Sequence, residues 1–114
     1  MNEELKRILG DSLTIGTKIV PVAHHRYKGN SSTFVTWVIT GESPALTGDD
    51  VCLYSIVEVD IDIFSNGNYK EIVGYIKNLM LENDWVWSGD SPEMYEEDTE
   101  LYHLTCSFEK ERSL

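Results

Sequence analysis

The sequence has 114 residues, 41% hydrophobic and 25% charged, which suits one packed core and leaves little room for a second domain. Twenty acidic side chains against nine Lys and Arg give a formal net charge of -11. That balance is repelled by nucleic-acid phosphates and by anionic membrane surfaces, so it argues against a role built on attraction to either, and it favours solubility.

Residues 2–13 read as a short helix, with Leu5, Ile8, Leu9 and Leu13 on one face. Asn2 is placed to cap its start, and Gly10 weakens its last turn. Residues 19–24 read as a first strand; Pro21 lacks a backbone donor, so this strand is expected at an edge or to be irregular. A turn-rich loop at 28–32 leads to a second strand at 33–40, with Phe34, Thr36 and Val38 on one face and Val35, Trp37 and Ile39 on the other. Residues 41–50, with Pro44, Gly48, Asp49 and Asp50, read as a loop.

The clearest strand covers 53–64. Val57, Val59, Ile61 and Ile63 alternate with Glu58, Asp60 and Asp62, so one face is expected buried and the other wet. Residues 69–83 follow as a second helix with Ile72, Val73, Ile76, Leu79 and Met80 along one stripe, and Asn68 and Glu71 have the spacing of a capping box. Trp85-Val86-Trp87 begins another strand. Residues 88–100 read as a long acidic loop with six carboxylates and no base. Residues 101–109 form a final alternating strand, with Tyr102, Leu104, Cys106 and Phe108 facing one way and His103, Thr105 and Ser107 the other; residues 110–114 are expected to fray. The whole reads as a single α+β domain over 1–114: two layers, a mostly antiparallel sheet with helices packed on one face.

The chemistry-bearing residues do not assemble into a recognisable motif. Glu58, Asp60 and Asp62 place three carboxylates on one strand face, a pattern that a hard cation or an acid–base pair could use but that more often marks a solvated face or a subunit contact. His24 and His25 are adjacent, so in a strand they face opposite sides; these and His103 read as isolated surface histidines. Cys52 and Cys106 lack metal-ligand spacing and read as reduced, buried thiols. Trp37, Trp85 and Trp87 have no basic groove beside them and read as core or interface residues. Glycine-rich phosphate loops are absent, as are a leader and an apolar run of membrane-spanning length, so neither cofactor nor metal is expected and the cytoplasm is the default location.

Four stretches together carry a resemblance: Val20-Pro21-Val22 with Tyr27; residues 32–37, Ser-Thr-Phe-Val-Thr-Trp; residues 57–65, from Val57 to Ser65; and residues 95–103, Tyr-Glu-Glu-Asp-Thr-Glu-Leu-Tyr-His. In these the chain resembles the tail-completion, or tail-terminator, proteins of long-tailed bacteriophages. The resemblance implies a structural protein without an active site. Such proteins form a ring, commonly of six copies, on the head-proximal end of the tail tube, stop its growth and dock to the filled head. The implied partners are further copies of the chain, the tail-tube protein and a head-completion or connector protein; the implied location is the virion tail, assembled in the host cytoplasm. A head–tail connector component, an acidic DNA-mimic inhibitor and, last, a carboxylate metal enzyme are the alternatives. The candidate subunit-interface residues are Leu46, Asp49 and Asp50 in the first long loop, Glu58, Asp60 and Asp62 on the wet strand face, and Met94, Tyr95, Glu96, Glu97 and Asp98 in the second. Net charge alone predicts that ring closure is resisted at low salt and helped by screening.

Overall fold

A computed structural model of the chain describes residues 1–45 and 54–113. The elements run α1 (Asn2–Leu9), β1 (Ser12–Ile15), β2 (Lys18–His24), β3 (Phe34–Ala45), β4 (Tyr54–Ser65), α2 (Lys70–Glu82), β5 (Val86–Asp90), β6 (Met94–Glu96) and β7 (Leu101–Ser113). The strands form one sheet in the order β1-β2-β3-β4-β7-β5, with β6 also paired to β7. All pairings are antiparallel except β2 with β3. This is the expected α+β architecture.

The first helix is shorter than the apolar spacing suggests. Gly10 takes φ 64, a left-handed conformation that ends α1. Leu13 lies four residues after Leu9, which fits a helix, and two before Ile15, which fits a strand. The strand prevails, and both Leu13 and Ile15 are buried on its inner face. Asn2 lies inside the helix rather than at its cap, which is Met1.

Gly16, at φ 62, and Thr17 form the two-residue turn joining β1 to β2. Pro21 does not put β2 at an edge: the strand lies between β1 and β3. It is irregular there, because its pairing with β1 ends at Pro21 and its parallel pairing with β3 starts at Val22. The missing proline donor falls where the partner changes. His25, at φ 69, then ends the strand.

β3 continues through Gly41 to Ala45, so the first half of the expected 41–50 loop is strand, paired to β4 from Glu58 back to Tyr54 with a bulge after Ile39. Residues 110–113 are likewise strand rather than a frayed tail, because Lys110 to Ser113 pair with Val57 to Tyr54. These long strands give the molecule its 52 Å length.

Val57, Val59, Ile61 and Ile63 are all essentially inaccessible and meet Val35, Trp37, Cys106 and Phe108 in one core cluster. Leu5 and Leu9 from α1 and Ile72, Ile76 and Met80 from α2 belong to the same cluster, so both helices cover one sheet face. The Asn68 Oδ1 accepts the Lys70 N–H at 3.0 Å, but the N-cap is Tyr69, one residue after the expected Asn68, and among the described residues no reciprocal Glu71 bond completes a capping box. No helix among the described residues is long and apolar enough to cross a membrane.

Candidate assembly surface

The helix-free face and the β5–β6 edge hold the described candidates. On that face, side chains form rows across the strands. Phe34, Phe64 and His103 stand opposite one another on β3, β4 and β7, and Met94 on β6 continues the row. Their rings stack in sequence, with centroids 4.6 Å apart for Phe34 and Phe64 and 4.2 Å for Phe64 and His103; Tyr27 extends the stack at 4.4 Å from Phe34. Cross-strand aromatic stacking of this kind fixes register and rigidifies a sheet face without a helix over it.

The next rows hold the strand carboxylates. Asp62 accepts hydrogen bonds from the Thr105 hydroxyl and lies 2.9 Å from His103 Nε2. Asp60 accepts from the Ser107 hydroxyl at 2.7 Å. Glu58 is exposed, opposite Glu109 on β7. Two of the three expected interface acids are therefore held by β7 within the chain, and Glu58 alone is free to reach outward. His103 is not an isolated surface histidine: it lies between Asp62 and Glu96, with Nδ1 3.5 Å from the latter. His24 stacks on Trp37 at 4.2 Å. Among the described residues, no three His, Cys, Asp or Glu side chains are placed to share a metal ion.

The expected 88–100 loop is mostly a sheet edge. β5 and β6 pair with successive parts of β7, separated only by Ser91-Pro92-Glu93, and Ser91 N–H itself bonds to Thr105 O at 2.8 Å. The four residues 97–100 turn the chain into β7, with Glu100 at φ 58. Met94, Tyr95 and Glu96 thus lie on an outer strand and Glu97 and Asp98 on its exposed turn. Met94 is 47% exposed and Tyr95 51%. Tyr102, expected to share a face with the buried Leu104, Cys106 and Phe108, is 36% exposed and packs on Tyr95 and Tyr69. Leu46, Asp49 and Asp50 lie outside the described residues, as does Cys52.

Fixed polar contacts hold this edge against α2. The Lys77 ammonium lies 2.8 Å from Asp90 and 4.3 Å from the centre of the Trp87 ring, while the Trp87 indole N–H donates to Asp90 at 2.9 Å. Partial burial opposes ionisation of Asp90, but the bonds from Lys77 and Trp87 outweigh it and hold its carboxyl below the usual range. The Tyr69 hydroxyl donates to Glu93 at 2.7 Å, and that bond, with burial and the charge of Glu93 behind it, pushes the Tyr69 pKa up to about 12. Burial, and then the charge of Asp90, pushes the Cys106 thiol up to about 12, as expected of a structural rather than a reactive cysteine.

Sequence reasoning missed the residues at the opposite edge: Lys18, and Ile19, which is 71% exposed. The signal was the Gly16-Thr17 pair, a two-residue turn between β-branched runs. A concavity of about 350 Å³ adjoins these residues and the start of α2. Several of its polar groups are engaged within the chain: Ser65 Oγ accepts the Gly67 N–H and lies 3.4 Å from the Thr33 hydroxyl, and Asn68 Oδ1 accepts the Lys70 N–H. No family model matches the chain, and no curated protein matches it either.

Proposed function

We propose that the chain is a structural subunit that assembles into a ring, of about six copies as in the proteins it resembles, on the head-proximal end of a phage tail tube. There it ends tube growth and offers the surface to which the head docks. The tail-tube protein and a head-completion or connector protein are its other partners, the virion tail its place, and no catalytic role is assigned to it.

The observation that carries this reading is the open sheet. One face is covered by both helices, whereas the β5–β6 edge leaves Trp87, Met94 and Tyr95 half exposed in fixed positions. Ordered aromatic and aliphatic side chains on a braced edge suit a protein interface. The carboxylates and His103 of the uncovered face are engaged with β7 neighbours, an arrangement that stiffens a plate. The resemblance in sequence supplies the tail.

Tail assembly with and without the chain tests the proposal. Without it, tails are expected to vary in length and to fail to join heads. Tails of uniform length that join heads in its absence would overturn the reading.

A further inference from the structure

We infer that copies of this chain join edge to edge, the acidic β5–β6 edge of one docking on the basic β1–β2 edge of the next. The inference deepens the ring reading by naming its contact, and it rests on that reading only for where the assembly sits.

The sheet has two ends, β1 at one and β5–β6 at the other, and they differ in charge. Residues 88–100 hold six acids and no base, a local charge of -6. Residues 12–33, which form β1, β2 and the loop after them, hold three bases and no acid, a local charge of +3 in a chain whose total is -11. Lys18, Arg26 and Lys28 on or beside β2 are exposed and form no ion pair among the described residues. Elsewhere, Lys77, Lys110 and Arg112 are already paired with Asp90, Glu4 and Glu42. Of the six bases outside these ion pairs among the described residues, Lys18, Arg26 and Lys28 lie at the end of the sheet opposite the free carboxylates of Glu97 and Asp98, and Lys6, Arg7 and Lys70 lie on the helices.

Apolar anchors accompany the charges. Ile19 projects from the basic edge, and Met94 and Tyr95 from the acidic one. Like edges repel and unlike edges attract, so the contact is heterologous and directional, the kind that propagates into a ring or a filament rather than stopping at a two-fold dimer. Pro92 and the bulge between Trp87 and Gly89 interrupt the outer strand, so side chains rather than a continuous backbone ladder make the contact.

This arrangement changes the salt dependence expected from net charge. Repulsion between whole copies acts over the 52 Å length of the molecule and is screened beyond about 10 Å at 0.1 M salt. Opposed edges act at contact distance. Association is therefore strongest at moderate salt and weakens again as salt is raised further.

Sedimentation equilibrium of the purified full chain, at protein concentrations up to about 1 mM, tests the inference with two charge-reversed variants. Lys18→Glu with Lys28→Glu makes both edges acidic; Glu93→Lys, Glu97→Lys, Asp98→Lys and Glu100→Lys together take residues 88–100 from -6 to +2 and make both edges basic. Circular dichroism establishes that each is folded. The wild-type chain is expected to associate, each variant to associate at least about tenfold more weakly, and an equimolar mixture of the two to recover association, because every contact is again between unlike edges. A monomeric wild-type chain, variants as associated as wild type, or a mixture that stays monomeric would each overturn it. If the mixture recovers while tails still assemble normally without the chain, the contact stands and the tail function falls. If charge-reversed variants still cap tails, the contact falls and the tail function stands.

Discussion

His103 stacks on Phe64 with ring centroids 4.2 Å apart while its Nε2 lies 2.9 Å from Asp62 on the same strand as Phe64. One imidazole thus ties β7 to β4 by both a ring contact and a polar contact, on the face no helix covers. A double-mutant cycle of Phe64→Leu and His103→Leu is expected to give a coupling of about 0.5–1.5 kcal/mol in urea denaturation, the range for an aromatic pair beyond its buried area. A coupling indistinguishable from zero would mean that the stack contributes nothing to the sheet.

Ile76 is fully buried in α2, in one cluster with Val59, Ile61 and Ile63. Ile76→Ala is expected to destabilise the chain by about 2–5 kcal/mol, through lost burial and the cavity left behind. A loss of a few tenths, measured by the same denaturation, would mean that the helix is not held against the sheet at this position.

The covered layer was the legible part of the sequence. Alternation over Val57 to Ile63 and the helical stripe of Ile72, Ile76 and Met80 each have a single period over many residues, so the pattern admitted one reading. Leu13 fitted both periods, and the φ of Gly10 settled the matter, which spacing does not express. The edge was misread for a different reason. Between Val86 and Glu96, the bulge after Trp87 and the break at Pro92 interrupt the period of two, and an outer strand with polar side chains looks like a loop when only hydrophobicity is followed. The end of β3, Gly41 to Ala45, was misread as loop because Gly and Pro are turn residues, and here they lie on a strand held by pairing with β4. Of the expected interface residues that are described, Met94, Tyr95, Glu97 and Asp98 face outward through an edge and its turn rather than a loop, and Glu58 faces outward on the face no helix covers.

Asp90 supplies a pH test. Its folded-state carboxyl lies below the ordinary value of 3.8, so the stability it adds is fully present above that value and is lost as pH falls through the still lower folded value. Asp90→Asn should therefore be less stable than wild type at pH 7, with the difference shrinking as pH falls below about 4. Urea midpoints that differ equally at both ends of that range would show that the bonds from Lys77 and Trp87 do not favour the ionised form.

Cys106 is inaccessible and its thiol is pushed up to about 12. In a Cys52→Ser background, a thiol reagent at pH 8 is expected to leave the folded chain unlabelled and to label it once unfolded. Prompt labelling of the folded chain would contradict the burial of β7 against the core.

The most direct measurement of the account is electron microscopy of purified tail tubes incubated with the purified chain. Ring-shaped density is expected at one end of each tube, the end that joins the head, with no decoration along the tube wall. Tubes with both ends bare at saturating protein, or with the chain spread along their length, would contradict it.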